Sequence, residues 1–188
     1  MRKLIVSEFV TLDGVMQAPG GNIEGVDDGF THGGWVAPLF DDGVGGHFDE
    51  LTKDADAVLL GRHTYIAHAG AFEPNPEDDP FNGLKKYVIT KTLSEPLWRD
   101  TEFIRGDATE SVTALKAQPG ENIVTDGSSQ LVHAMLRHNL VDELYLLIFP
   151  VVVGGGVRVF PEGVHQPLKL VQSKTTTNGI IIAHYTRG

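Results

Sequence analysis

The chain has 188 residues, 41% of them hydrophobic and 21% charged, which fits one globular domain with its own core. It has no cysteine, which excludes disulfides, thiolate zinc sites and cysteine nucleophiles and favours a reducing cytoplasm. The net charge of −10 argues against nucleic acid or an anionic membrane surface as a partner, and no apolar run is long enough to span a membrane. We therefore expect one soluble domain over residues 1–188, in which a local basic pocket would hold any anionic ligand.

In chain order, apolar runs that predict strands alternate with amphipathic stretches that predict helices. The predicted strands cover residues 4–10, 57–60, 87–90, 101–104, 122–126 and 143–153. The predicted helices cover residues 39–54, 64–71, 109–117 and 128–140. Because the two kinds of element alternate, we expect a mostly parallel sheet with helices on both faces.

The remaining segments predict loops and a hairpin. Near the carboxyl end, Asn178-Gly179 joins two strand-like runs, a strong hairpin signal that predicts an antiparallel edge of the sheet. Residues 70–83 are acidic and contain three prolines, so a surface loop is predicted there. The glycine-rich residues 18–34 are predicted to form a mobile loop. The long apolar run 143–153 is interpreted as an exposed edge strand, which favours a homodimer because exposed edges need cover.

The common nucleotide-binding fingerprints are missing. No G-x-G-x-x-G follows a predicted strand, and no G-x-x-x-x-G-K-[ST] occurs. A nucleotide would therefore be bound by separate strand-to-helix turns, in each of which backbone N–H groups donate hydrogen bonds to a phosphate. Their hydroxyl, lysine and arginine groups would suit the extra ribose phosphate of NADP. The candidate turns are residues 61–64, 90–91 and 127–129. Ordinary turns, solvated side chains and serine helix caps remain the alternative for each.

Five segments carry a family resemblance: "SEFVTLDGVM", "LLGRHTY", "YVITKTL", "DGSSQL" and "LVDELYLLIFPVVVGGGVRVF". Together they resemble the dihydrofolate reductase-like superfamily, in the branch related to the reductase (C-terminal) domain of the riboflavin biosynthesis deaminase/reductase. The resemblance covers nearly the whole chain. It implies a three-layer α/β fold, with helices on both faces of a mostly parallel central sheet, an antiparallel C-terminal edge, and a pyridine nucleotide across the strand ends.

The resemblance also implies a cofactor, NADPH, and the residues that bind it. The turn at Gly61, Arg62, His63 and Thr64 would hold the pyrophosphate and the adenosine phosphate. The other implied cofactor residues are Thr90 and Lys91 on the adenosine side, Gly127, Ser128, Ser129, Gln130 and Leu131 at a second helix-borne phosphate site, Val15 and Met16 near the nicotinamide ring, and Gly155 within the triple glycine.

Two side chains are candidates for the substrate pocket. Asp13 is the favoured catalytic acid, although Asp13-Gly14 is equally good turn chemistry. Further acids near the amino-terminal loop are Asp41, Asp42 and Asp49. Trp35 could form a wall of the pocket by stacking on a flat heterocycle, or it could be a core residue.

These features predict an NADP-dependent oxidoreductase similar to 5-amino-6-(5-phosphoribosylamino)uracil reductase, transferring a hydride to a small heterocycle-bearing substrate. The alternatives are a dihydrofolate or pterin reductase and a non-catalytic nucleotide-binding protein. Residues 40–47 offer no clear match to the acid that dihydrofolate reductases carry on the helix after the first loop. Without cysteine ligands the chain corresponds at most to the reductase half of a deaminase/reductase. No metal site is predicted, since the histidines lack H-E-x-x-H spacing.

Overall fold

The structure, a computed structural model, describes residues 1–27 and 29–188. Asp28, which falls in the predicted loop 18–34, lies outside the described residues. The elements are, in order, β1 (Leu4–Thr11), α1 (Asp42–Thr52), β2 (Ala55–Gly61), α2 (Arg62–Phe72), β3 (Lys85–Ile89), β4 (Thr101–Ile104), α3 (Ala108–Ala117), β5 (Asn122–Asp126), α4 (Ser129–Arg137), β6 (Glu143–Phe149), β7 (Leu168–Thr175) and β8 (Ile181–Arg187). None of the helices in this part of the chain has the length and apolar character needed to cross a bilayer.

The strands form one sheet in the order β4-β3-β2-β5-β1-β6-β8-β7. Strands β1 to β6 run parallel to one another, whereas β8 is antiparallel to β6 and β7 is antiparallel to β8. The predicted fold class, a mostly parallel sheet with an antiparallel carboxyl edge, is confirmed. Because parallel strands end at the same edge, the turns after β2, β3 and β5 all lie at one edge of the sheet.

Each face of the sheet has its own core. On one face, Ile5 of β1 lies in a cluster with the apolar side chains of α1 and α2. On the other, Leu4 and Val6 lie in a cluster with those of α3 and α4. β1 is buried at seven of its eight positions, as expected for a strand that is covered on both faces. The two clusters confirm the three-layer arrangement.

The predicted hairpin joins β7 to β8. Its register pairs Thr175 with Ile181, and Gly179 takes a φ of +81° that suits glycine. The turn also contacts α1, because the backbone N–H of Asn178 donates to Asp41 Oδ2 at 2.8 Å. Asp41 also accepts from Gly43 N, as the N-cap of α1. The hairpin therefore fixes the start of α1 as well as the edge of the sheet.

The prediction of a strand over residues 143–153 is wrong in its length and its position. Strand β6 ends at Phe149, because Pro150 has no N–H to donate to a neighbouring strand. It lies between β1 and β8, so it is an internal strand and β7 is the edge. The argument from an exposed edge at this run fails, and a homodimer stays a prediction without it.

The prediction of a surface loop over residues 70–83 is also partly wrong. Helix α2 continues to Phe72, a short 3-10 turn covers Pro76–Asp78, and Asp79 and Phe81 are buried. The Asp79 carboxylate accepts from Trp98 Nε1 at 3.1 Å and lies 3.9 Å from the ammonium of the fully buried Lys86. Acidic composition suggested exposure, but here a carboxylate pairs with a lysine from the next strand in the interior.

Helix α1 presents a histidine to the sheet. His47 is 2% exposed, and its Nε2 lies 3.0 Å from the hydroxyl of Ser7 on β1. Burial, with a smaller contribution from the charge of Lys174, lowers the pKa of His47 to about 4. An unfolded chain takes up a proton at this residue near its ordinary pKa of about 6.5. Between those two values the unfolded state binds more protons, so stability falls as pH falls.

We expect His47→Gln to remove a stability loss of about 2 kcal/mol that the wild type suffers between pH 7 and pH 5. Glutamine keeps a polar group near Ser7 but does not titrate. Urea unfolding at the two pH values measures the difference between the two proteins. The exposed His138→Gln, at the end of α4, is the matched control. An equal pH dependence in the His47 variant and the wild type would contradict the assignment.

Candidate functional site

Two of the predicted phosphate-binding turns meet at the carboxyl edge of the sheet. The backbone N–H of Gly61, at the end of β2, donates to Ser128 Oγ, just after β5, at 2.8 Å. A Cβ on Gly61 would lie 3.2 Å from that oxygen, and one on Gly127 would lie 3.0 Å from Thr64 Cγ2. The two glycines therefore let the turns approach closely. The N-termini of α2 and α4 consequently lie side by side.

Ser128 links the turns and does not cap its own helix. It occupies the N-cap position of α4 with φ +66° and ψ +57°, a left-handed conformation, and its hydroxyl accepts from Gly61. The helix-cap interpretation of Ser128 is therefore wrong. Within the described residues, neither α2 nor α4 has a side-chain cap at its start, so no capping side chain bonds to the first N–H groups of either helix.

The third turn, after β3, is surrounded by basic side chains. Thr90 Oγ1 accepts from the backbone N–H groups of Thr92 and Leu93, and Arg62 Nη1 reaches across from α2 to Thr92 Oγ1 at 3.1 Å. Arg105, which follows β4, donates to Thr90 O at 2.7 Å. The exposed Lys91 lies in the same turn.

Sequence reasoning missed Arg105, although a basic residue directly after a predicted strand was an available signal. The structure thus gathers the side chains of Arg62, Lys91 and Arg105 around one turn of a chain whose net charge is −10. A local basic pocket of this kind is what an anionic ligand requires in an acidic protein.

Asp13 holds the loop that follows β6. Its Oδ2 accepts from Gly154 N at 2.9 Å, and its Oδ1 accepts from the hydroxyl of Thr11 at 2.6 Å. The hydrogen bond from Thr11 is the main reason that the pKa of Asp13 is lowered from its ordinary value. Such a carboxylate is ionised at neutral pH and has no proton to donate. The catalytic role of Asp13 stays a prediction, and the contacts give it a positioning role.

Val15 and Met16 are buried beside the same loop. Met16 N donates to Val157 O at 2.8 Å, so the segment after "LDG" pairs with the segment after the triple glycine. Within that triplet, a Cβ on Gly156 would lie 2.8 Å from a ring carbon of Phe30, whereas one on Gly155 would meet nothing within 4 Å. Gly156 therefore packs against the protein, and Gly155 borders open space.

Trp35 is 7% exposed and lies in the core cluster beside α1 and α2. Its ring meets Phe149 edge to face at 5.4 Å, and its indole N–H donates to Gln17 O at 2.9 Å. These contacts support the interpretation of Trp35 as a core residue. Of the further acids predicted near the amino-terminal loop, Asp42 and Asp49 are exposed and Asp41 caps α1.

A residue that sequence reasoning missed lies beside the Gly127 turn. Glu8 of β1 is 2% exposed, and its Oε2 accepts from Gly127 N at 3.1 Å. Its other carboxyl oxygen, Oε1, is the one buried side-chain N or O atom of the described residues without a hydrogen-bond partner. Burial raises the pKa of Glu8 well above its ordinary range, and the neighbouring Asp126 raises it further. The signal was an acidic residue in a strand that is otherwise buried on both faces.

These contacts would suit a ligand that carries several phosphate groups. Two adjacent glycine turns at helix N-termini suit a pyrophosphate, the basic turn after β3 suits a further phosphate, and an unpartnered carboxyl oxygen lies next to them. The described residues contain no cluster of three or more histidine and carboxylate side chains arranged for a metal ion. What the arrangement supports chemically is the binding and orientation of an anionic coenzyme.

Comparisons with known proteins give a family and a fold. The family model described as the RibD C-terminal domain matches residues 2–182. The uncharacterised protein YyaP of Bacillus subtilis (strain 168) is 28% identical over 96% of this chain and 92% of its own length. A crystal structure from Shewanella sp. PV-4, named for riboflavin biosynthesis, has a TM-score of 0.77 at 20% identity and covers 99% of both chains.

Two further structures show the same fold. Dihydrofolate reductase from Enterococcus faecalis, in complex with NADP(H), has a TM-score of 0.67 at 14% identity and covers 99% of this chain and 96% of its own. The deaminase/reductase of Thermotoga maritima, whose name includes 5-amino-6-(5-phosphoribosylamino)uracil reductase, has a TM-score of 0.68 at 15% identity. It matches 100% of this chain with 57% of its own.

The close approach of Gly127 to Thr64 can be tested by stability. Gly127→Ala places a Cβ in a left-handed conformation, which costs about 1–2 kcal/mol, and against Thr64 Cγ2, which adds about 1 kcal/mol. Gly83→Ala is the matched control, since it has φ +82° with nothing within 4 Å of the added Cβ. Thr64→Ser removes Cγ2. In a double-mutant cycle of urea unfolding, we expect it to restore the part of the stability of Gly127→Ala that is lost to the clash with Thr64. Equal losses in both alanine variants would contradict the contact.

Proposed function

The chain belongs to the RibD C-terminal domain family, and from that premise we propose that it is an NADPH-dependent reductase. It transfers a hydride to a small heterocycle-bearing substrate, similar to the reaction of 5-amino-6-(5-phosphoribosylamino)uracil reductase. The observation that carries the proposal is the meeting of the Gly61 and Gly127 turns beside a basic third turn. The NADP(H) complex of the Enterococcus dihydrofolate reductase, which has the same fold, supports the choice of coenzyme.

The adenosine phosphate of NADPH would be bound at the turn after β3. Arg62 and Arg105 flank that turn, and the Thr90 hydroxyl already organises its backbone. A phosphate dianion forms strong charge-assisted hydrogen bonds with such a cluster, whereas the free ribose hydroxyl of NADH does not. The pyrophosphate would be bound by the N–H groups at the starts of α2 and α4.

Bound NADPH would supply the hydride, and the chain's residues would orient it and keep water away. Val15 and Met16, buried beside the loop after β6, would support the nicotinamide ring. Asp13 would keep that loop in place through Gly154 and act as a positioning residue. Because Asp13 is ionised at neutral pH, it is poorly suited to donate the accompanying proton.

The substrate proposed is a pyrimidine rather than a pterin. Dihydrofolate reductases present an acid to the pterin from the first helix. The inward-facing residues of α1 here are Val44, His47, Phe48 and Leu51, and burial keeps His47 uncharged at neutral pH. A helix without an inward carboxylate is a poor partner for a pterin ring. A ribosylamino-pyrimidine, whose sugar would accept the hydride, a pterin and a quinone, each offered with NADPH, would show which class of substrate is reduced.

We expect Arg62→Ala to weaken NADPH binding ten- to hundredfold, since a hydrogen bond to a charged group contributes about 1.5–3 kcal/mol. The affinity for NADH should change little. Fluorescence titration with both coenzymes measures the two constants. Arg137→Ala, which removes an exposed arginine from the opposite end of α4, is the matched control.

Three outcomes would count against the proposal. Equal NADPH affinity in wild type and Arg62→Ala would contradict the role of the arginine. Oxidation of NADPH by dihydrofolate but by no pyrimidine would show that the substrate is a pterin instead of a pyrimidine. Tight NADPH binding without oxidation by any acceptor would indicate a nucleotide-binding protein without turnover.

A further inference from the structure

The Oε1 atom of Glu8 has no hydrogen-bond partner among the described residues. A buried polar atom without a hydrogen bond costs about 1–3 kcal/mol, so nearly all such atoms in proteins are paired. In the described residues this is the one buried side-chain oxygen or nitrogen that is not. The carboxyl group is held in place through its other oxygen, which accepts from Gly127 N at 3.1 Å.

Glu8 lies at the point where β1 loses one of its two neighbouring strands. Strand β5 pairs with β1 only from Leu4 to Ser7, where Ser7 meets the last residue of β5, Asp126. On the other side, β6 continues to pair with β1 as far as Thr11. From Glu8 onward, β1 therefore has no strand neighbour on the β5 side. The Gly127 turn and the start of α4 border this gap.

The gap lies where the ring end of a dinucleotide would be. The adenosine phosphate is proposed to bind after β3 and the pyrophosphate after β2 and β5. Three steps in the sheet order separate β3 from β1, roughly 14 Å at ordinary strand spacing. A coenzyme that crosses these strand ends in that order next reaches the β1 edge, where Glu8 is the first residue beyond β5.

The surroundings of Glu8 favour its neutral, protonated form. The charged group that faces it is Asp126 of β5, which in turn contacts His68 Nε2 of α2 at 3.1 Å. From β6, the residue in register is the buried Leu146, and from the turn before α4 the contact is the N–H of Gly127. Burial and the Asp126 carboxylate both raise the pKa of Glu8. A protonated carboxyl group can donate as well as accept a hydrogen bond.

Resting on the function proposed above, we propose that Glu8 recognises the coenzyme, by a hydrogen bond from its protonated Oε1 to the carboxamide oxygen of the nicotinamide ring. The carboxamide is the polar group of that ring, and it offers one acceptor and two donor hydrogens. With Oε2 held by Gly127, Oε1 is free to make this bond. Glu8 would thereby fix the rotation of the ring about its ribose bond, and with it the face from which the hydride leaves.

The test compares two ligands that differ by the ring. NADPH carries the nicotinamide, whereas adenosine 2′,5′-bisphosphate carries only the adenosine phosphates. We expect Glu8→Leu to weaken NADPH binding about tenfold and to leave the affinity for adenosine 2′,5′-bisphosphate unchanged. The control is Thr125→Val, which removes another buried hydrogen bond nearby, from Thr125 Oγ1 to Leu59 O at 2.7 Å. It should change both affinities by the same factor.

The possible failures can be told apart. A wild-type protein that does not bind NADPH overturns the proposed function and this inference together. A wild type that binds NADPH with the same affinity as Glu8→Leu overturns only the role of Glu8. An equal loss for both ligands in Glu8→Leu also overturns it, because the residue would then act through the fold of the Gly127 turn.

A second variant covers the case in which Glu8→Leu does not fold. Glu8→Gln has the same shape and keeps an acceptor for Gly127 N. The infrared carbonyl band of a protonated carboxylic acid should be present in the wild type and missing from this variant. We expect NADPH, and not adenosine 2′,5′-bisphosphate, to shift that band in the wild type. A band that is missing from the wild type, or that NADPH leaves in place, overturns the proposal.

Discussion

The candidate site depends on one steric constraint, which is that residues 61 and 127 have no side chain. A Cβ at Gly61 would crowd Ser128, and one at Gly127 would crowd Thr64, so larger residues would force the two turns apart. The same approach lets Gly61 N bond to Ser128 Oγ, which fixes the starts of α2 and α4 relative to each other. Two helix N-termini held side by side would suit an anion without any glycine-rich fingerprint within a single turn.

The pKa values of the two acids near the site are shifted in opposite directions because their surroundings differ. Asp13 is reached by water and accepts hydrogen bonds from Thr11 and from the loop after β6, which favours its ionised form. Glu8 is enclosed, beside another carboxylate, with one N–H as its donor, which favours its neutral form. Burial and hydrogen bonding, rather than residue type, therefore decide in which direction the pKa of each acid is shifted.

The sequence predicts features that depend on local chemistry and misses those that depend on contacts across the chain. Alternating apolar runs predicted the layers, and Asn178-Gly179 predicted the hairpin, because periodicity and turn chemistry are local. The burial of Asp79 against Lys86, the internal position of β6 and the approach of Arg105 to Thr90 each depend on which elements the fold brings together, and no local pattern specifies that. The turn residues at 61–64 and 127–129 were chosen from the sequence, but their convergence appears only in the fold.

The unpaired oxygen of Glu8 also lowers the stability of the fold. A native domain is stable by only about 5–15 kcal/mol, and an unpaired buried oxygen costs about 1–3 kcal/mol of that. The neighbours of Glu8 on the same face of β1, Val6 and Val10, are apolar and fully packed. An apolar residue at position 8 would continue their pattern and would avoid the unpaired oxygen. The proposed hydrogen bond to the coenzyme would account for a carboxyl group at this point, where β1 loses its neighbour, although an apolar residue would suit the fold better.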